Sequence, residues 1–347
     1  MSSKIGVLTF HRCVNYGSYW QARCLVEGLR SGGHDAVLLD HASDRVRHAE
    51  LACALSPLAP EPTPASDRPQ YVAKVRAFRR AVDVLPRSAP FALERPEEMA
   101  AYDLVLVGSD EVWNLRHPWY GGCRLFFGAQ VPATRLVSYA ASFGNYDAAG
   151  GLDGSWGAML TRFESLSVRD DNSFRLVRNA AGREPDLTLD PCLQFPPNAQ
   201  TAARGDPYLL VYGHGFSAGL AAAVRAFARA CRLTVVSVGY RNAFADAQHI
   251  AAGPEEFRQL MAGARAVVTN FFHGCVFALL NRKPFVCVPS PYRFNKVRDL
   301  AALLGAQGHL AGEELAVRLS EPPAESIYRR IAELRQQSGA YLGRALG

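Results

Sequence analysis

KIGVLTFHRCVNYGSYWQARCLVEGLRSGGHDAVLLD, residues 4–40, is the stretch whose reading decides the fold. Lys4–Thr9 is short, apolar and β-branched, which predicts a strand, and a polar loop follows over His11–Ser18. Trp20–Arg30 carries apolar residues at helical spacing and ends in Ser31-Gly-Gly, a C-terminal capping pattern. Asp35–Asp40 predicts a second strand. Strand, helix and strand in this order make a βαβ unit, and therefore a parallel sheet with a right-handed crossover. The loop leaving the first strand of such a unit lies at the sheet edge where ligands bind.

The pattern recurs along the chain. Tyr102–Gly108 is a continuous apolar strand, expected to be buried on both faces, that runs into Ser109-Asp-Glu-Val-Trp-Asn114. Leu136–Ala141 closes in Ser142-Phe-Gly144, Ser165–Val168 leads to Arg169, and Leu187–Leu189 stops at Asp190-Pro191. A boundary is predicted at Phe195–Asp206, after which the alternation restarts. Strands are expected at Tyr208–Tyr212, Leu233–Val238, Ala266–Thr269 and Pro284–Pro289, and helices at Ser217–Ala230, from Gly253-Pro-Glu-Glu-Phe257 and at Gly274–Leu280. Five prolines near residues 55–70 predict an irregular excursion. The helix expected over Tyr71–Val84, with Lys74, Arg76, Arg79 and Arg80, reads as a solvated basic face. The fold class is thus α/β with two Rossmann-like domains, at 1–200 and 205–322, and a C-terminal helix over 323–347 docking across them.

Composition agrees. The 347 residues, 49% hydrophobic and 20% charged, suffice for two cores and exclude global disorder. A net charge of +6, spread along the chain, reads as a solvated surface and also suits a cleft for an anionic substrate such as a phosphate ester or carboxylate. No segment is dense enough in Lys and Arg to form a nucleic-acid stripe, so no nucleic-acid partner is expected. No run approaches the ~20 apolar residues of a membrane span, and Met1–Phe10 does not read as a signal peptide. A cytoplasmic protein is expected, with peripheral association to a membrane-bound assembly left open. The eight cysteines are scattered without a C-x-x-C pair, which predicts free thiols and no zinc site.

Several segments together resemble the polysaccharide pyruvyl transferase family. They are Ile5-Gly-Val-Leu-Thr-Phe with Asn15-Tyr-Gly-Ser-Tyr-Trp-Gln21, then Tyr102–Asn114, then Ser138-Tyr-Ala-Ala-Ser-Phe-Gly144 with Leu166-Ser-Val-Arg169 and Leu189-Asp-Pro191. The last is Gly253-Pro-Glu-Glu-Phe257 with Val268-Thr-Asn-Phe-Phe-His-Gly-Cys-Val-Phe277 and Lys283-Pro-Phe-Val286. The resemblance implies a glycosyltransferase-B-like arrangement of two Rossmann-type domains with the active site between them. It also implies transfer of the enolpyruvyl unit of phosphoenolpyruvate to a sugar of a surface polysaccharide or glycan precursor, as a pyruvate ketal. No metal or organic cofactor is implied. In that setting the open membrane association would be with membrane-linked glycan machinery.

That chemistry needs cationic groups for the donor, an acid for its methylene carbon and a base for the acceptor hydroxyl. His273, at a strand–helix junction, is the candidate acid, and Asp110, at a strand end, the candidate base or sugar ligand; Asp110 could equally cap a helix. Arg169 suits bidentate recognition of a carboxylate or phosphate, or else an ion pair with Asp170 or Asp171. Asn15, Tyr16 and Gly17 form the first βα loop, where Asn15 and Gln21 are candidates to bond hydroxyls, with plain turn chemistry as the alternative. Ser109, Ser142, Asn270, Phe271 and Gly274 belong to the same motifs, and Asn295 and Lys296 are expected in the loop after the last core strand. Asp190 reads as a turn residue. The chain departs from the family pattern twice: Phe271 replaces an anion-binding Arg two residues before His273, and Glu111 replaces a Gln beside Asp110. These departures keep two other readings in play: a diverged transferase using another activated donor on a small metabolite, and a non-catalytic glycan-assembly protein.

Overall fold

The computed structural model describes residues 4–199, 206–310 and 315–347. In chain order the elements begin β1 (Lys4–Leu8), α1 (Tyr16–Ser31), β2 (Asp35–Leu38), β3 (His41–Ala42), α2 (Asp44–Leu55) and α3 (Arg68–Asp83). They continue β4 (Phe91–Ala92), β5 (Tyr102–Val107), β6 (Ala133–Ser138), α4 (Gly154–Leu160), β7 (Ser167–Val168), α5 (Asp171–Ala181), β8 (Asp186–Leu187) and α6 (Pro191–Gln194). After 206 come β9 (Tyr208–Tyr212), α7 (Ala218–Ala230), β10 (Thr234–Val238), β11 (Ala247–His249), α8 (Pro254–Gly263) and β12 (Ala266–Thr269). The last are α9 (Phe272–Leu280), β13 (Phe285–Cys287), α10 (Phe294–Leu304), α11 (Leu315–Ser320) and α12 (Glu325–Leu346). Residues 200–205 of the predicted boundary lie outside the described residues.

The chain divides into two compact units, one of residues 1–50, 84–197 and 329–347, the other of residues 51–83 and 198–328. Each is built on a parallel sheet. The first has the order β2-β1-β5-β6, with Val7 opposite Leu38 on one side and Leu106 on the other. The second has the order β11-β10-β9-β12-β13, with Val211 opposite Ser237 and Val268. Central strands of both are apolar on both faces, as a parallel sheet covered by helices requires. Leu8, Val105, Val107, Trp113 and Phe126 head the first core, and Leu209, Val211, Val224 and Val268 the second.

Local chemistry sets the element ends. Helix α1 begins at Tyr16, earlier than the apolar spacing predicts, because the Asn15 side chain accepts hydrogen bonds from the backbone N–H groups of Gly17 (2.8 Å) and Ser18 (3.2 Å). Helix α2 was not expected: only Val46 of its twelve residues is buried, so it carries no apolar stripe to read. Helix α3 does carry one, formed by Tyr71, Lys74, Val75, Phe78 and Val82. Arg76, Arg79 and Arg80 are exposed, as a solvated face predicts, but Lys74 is buried, which corrects the reading for that residue. Within the second unit α3 is pinned by an Asp67–Arg241 ion pair and by the Tyr71 hydroxyl, which accepts from the Arg241 N–H. In the first unit α12 is held by Tyr341, which donates to the Ser138 carbonyl, and by Ser338, which accepts from the Leu189 N–H. All eight cysteines are free thiols. No helix among the described residues is long and apolar enough to cross a membrane.

At the end of β2, buried Asp40 gathers its neighbours. Arg12 donates to both its oxygens (2.7 Å each), Arg87 to one (2.8 Å), and the His11 ring meets the other at 2.9 Å. Burial opposes ionisation of Asp40, but the hydrogen bonds of His11 and Arg12 outweigh it and hold the carboxyl well below the usual carboxylate range. A carboxyl depressed in the folded state stabilises above its unfolded pKa and loses that stabilisation as pH falls toward its native one. Asp40→Asn is therefore expected to cost about 3 kcal/mol at pH 7. In denaturant titrations the gap between variant and wild type should close as pH falls below about 4; a gap unchanged at low pH would contradict the assignment.

Candidate functional site

The carboxyl ends of both parallel sheets collect the predicted residues. Asn15, Tyr16, Gly17, Gln21, Ser109, Asp110, Ser142 and Arg169 belong to the first unit; Asn270, Phe271, His273, Gly274, Asn295 and Lys296 belong to the second.

In the first unit the chain leaves β5 through Gly108, at φ +116, where a Cβ would stand 2.2 Å from the Tyr139 carbonyl oxygen. Glycine is the residue that passes there. Asp110 follows at φ +71, a strained conformation for a residue with a side chain, and no helix starts at it, so it is not an N-cap. Its carboxylate accepts from the Ser18 hydroxyl (2.7 Å) and from Arg169 (3.1 Å). Arg169, fully buried, also donates to Asp190 at 2.8 Å. Burial opposes its charge, but Asp110, then Asp190, outweigh that and raise its pKa. Asp170 instead caps α5, accepting from the Ser173 N–H and the Ser142 hydroxyl, and Asp171 pairs with Arg175. Asp190 fixes a turn as expected, capping α6 through the Cys192 N–H, while serving as the second partner of Arg169.

The first βα loop is occupied with its own turn. Asn15 is the α1 cap, Tyr16 and Gly17 are buried in its first turn, and the Gln21 amide donates to Thr9 Oγ1, the Phe10 carbonyl and the Ser18 carbonyl. Ser109 is buried, with its carbonyl accepting from Thr9 Oγ1 and its own Oγ without a partner. Glu111, also buried, accepts from Asn114 and lies against Gly144.

In the second unit β12 ends at Thr269, and Asn270 and Phe271 lead into α9. Thr269 Oγ1 accepts from the Phe271 N–H, and a Cβ on Gly274 would come within 2.0 Å of it, so glycine lets the first turn of α9 seat against the strand end. His273 is buried in that turn. Asn270 donates to the His214 carbonyl, leaving its buried Oδ1 unpartnered. Phe271 stacks on Tyr212 (4.7 Å between centroids) and Tyr240 (5.4 Å), with the Arg293 guanidinium 4.2 Å from its ring centroid. His214 lies 5.0 Å from Tyr240, and burial, then Arg293 and Lys74, lower its pKa to about 4. Asn295 and Lys296 are not in a loop but in the first turn of α10, which begins at Phe294 directly after the short turn over Pro291–Arg293.

Sequence reasoning passed over His214, Tyr240 and Arg293, and read Lys74 as a surface charge. Tyr212-Gly-His-Gly215 had a usable signal, an apolar strand ending in glycines around a polar residue. Lys74 and Arg293 had none, since a cation on an apolar stripe or in a turn reads as a surface charge.

A family model described as polysaccharide pyruvyl transferase matches residues 15–291. No curated protein matches the chain. Among solved structures, a protein named as a UDP-N-acetylglucosamine 2-epimerase from Listeria monocytogenes is similar at TM-score 0.52 and 12% identity, over 99% of this chain and 91% of that one. Glycosyltransferase SsfS6 of Streptomyces sp. SF2575 aligns at TM-score 0.43 and 16% identity, over 97% and 96% of the two chains. The likeness to the epimerase concerns the fold alone and, with the two parallel sheets, supports the glycosyltransferase-B-like class. The match over residues 15–291 covers most of the chain, and the protein belongs to the polysaccharide pyruvyl transferase family, a family of transferase enzymes.

Proposed function

We propose that the protein transfers the enolpyruvyl unit of phosphoenolpyruvate to a pair of hydroxyls on a sugar of a polysaccharide or glycan precursor. The family match over residues 15–291 is the observation that carries this reading. A proton reaches the methylene carbon, an acceptor oxygen bonds the neighbouring carbon, the bond from that carbon to the phosphate oxygen breaks, and the second hydroxyl closes the ketal. Of the two protons the hydroxyls give up, the equivalent of one ends on the new methyl group and the other on phosphate.

His273 delivers the proton to the methylene carbon; its place in the first turn of α9, at the positive end of the helix, suits an anionic donor. Asp110 takes the acceptor proton or holds a sugar hydroxyl, and its strained backbone and paired carboxylate point to a site residue. Arg169 positions Asp110, since its guanidinium is committed to two carboxylates. Asn15 and Gln21 shape the first loop, and Asn270, with a buried acceptor still open, bonds substrate. The rings around Phe271 favour a second reading, a nucleotide-activated donor whose base stacks there.

Phosphate release from phosphoenolpyruvate with a panel of sugar acceptors tests the reading. His273→Ala should fall about 10²–10⁴-fold in kcat. Absence of turnover across the panel by folded enzyme, with saturable binding of a nucleotide sugar, would transfer the assignment to the second reading. Arg169→Met leaves Asp110 and Asp190 buried without their shared cation, and should lose about 3–5 kcal/mol of stability in denaturant titrations. A loss below about 1 kcal/mol would show that the triad does not hold the loop.

A further inference from the structure

The amino ends of the second sheet, opposite the strand ends that lead to His273, border a cleft of about 420 Å³, within the size range of small-ligand sites. Arg265, Arg282 and Lys283 line it, and Asp206 is the one carboxylate among its described lining residues. Arg265 stands one residue before β12 and Lys283 two before β13. Val267 of β12 pairs with Phe285 of β13, so two residues back along each strand Arg265 and Lys283 fall opposite one another. Neighbouring strands lie about 4.8 Å apart, and like charges placed opposite across them repel. Pro207 and Pro284, which also line the cleft, fix the backbone entering β9 and β13, so the cations stand on a rigid sheet edge. Among the described residues neither Arg265 nor Lys283 has an ion-pair partner. Arg282, exposed at the rim, is by contrast committed: it donates to Glu325 at 2.9 Å and lies 4.0 Å from the centroid of the Tyr328 ring. Lys283 is half-buried, and burial, then the charge of Arg265, pushes its pKa down, as for a cation that no carboxylate answers.

We propose that this cleft is a binding site for a phosphate-bearing anion, held between the Arg265 guanidinium and the Lys283 ammonium. An anion between two cations turns their mutual repulsion into two attractions, and charge-assisted hydrogen bonds of this kind are the strong ones. Arg265 supplies a planar fork that meets phosphate oxygens in pairs, and Lys283 a point charge with three donors. Asp206 offers an acceptor to a hydroxyl on the organic part of a phosphate ester. That ester is either a soluble metabolite or the headgroup of a lipid; the recognising chemistry is the same. The site lies at the far end of the sheet from His273 and does not rest on the donor reading above.

Two probes test this: glycerol phosphate in calorimetric titration, and cosedimentation with phosphatidylcholine vesicles with and without phosphatidic acid. Wild type should bind at least one of them. Arg265→Met and Lys283→Met should each weaken that binding about 10- to 100-fold, and Arg225→Met, exposed on α7 of the same unit, should not change it. Arg265→Met, at an exposed position, supplies the test should Lys283→Met fail to fold. Glycerol phosphate bound with this pattern upholds the site and makes its ligand a soluble ester. Binding to phosphatidic acid vesicles with this pattern, without binding of glycerol phosphate, upholds it as a headgroup site. Wild-type binding that either folded variant retains within about twofold overturns the assignment. No binding of either probe by folded wild type overturns it as well.

Discussion

A single buried guanidinium organises the first unit. Arg169, at the end of β7, reaches Asp110 beyond β5 and Asp190 at the start of α6, while Ser18 of α1 completes the shell of Asp110. Three charges out of water are costly unless geometry and hydrogen bonds compensate them. The arrangement therefore permits little slack: each carboxylate fixes the arginine, and the arginine fixes the loops that carry the carboxylates. Asp110 keeps its positive φ within these contacts.

The second unit solves the opposite problem. Its strand ends gather cations, and aromatic faces accommodate them: Lys74 on Tyr240, Arg293 on Phe271. Phe271 thus does not leave the loop without positive charge; it supplies the surface on which a neighbouring arginine lies. Delivery of Lys74 depends on a helix from the first third of the chain that packs with the second unit.

Much of the architecture was legible in the residues themselves. Tyr208–Tyr212 and Ala266–Thr269 are strands over the predicted spans, because a fully buried parallel strand must be apolar at every position and turn residues mark its ends. The recurring apolar run followed by Ser, Asp, Gly or Asn located the loops where the candidate residues stand. Elements with little burial, such as α2, escaped, since burial is what writes a period into a sequence. Ends set by a single side chain, such as the Asn15 cap of α1, shifted for the same local reason.

By itself, then, the sequence determined the α/β class, the strand ends that carry the candidate residues and the family, because these depend on local periodicity and on contiguous motifs. Only the tertiary structure decided that Arg169 answers to Asp110 and Asp190 and not to its neighbours in the chain, that residues 51–83 belong with the second sheet, and that Lys74 is buried beside Tyr240. Charge pairing and burial depend on separation in space, and a sequence records only separation along the chain.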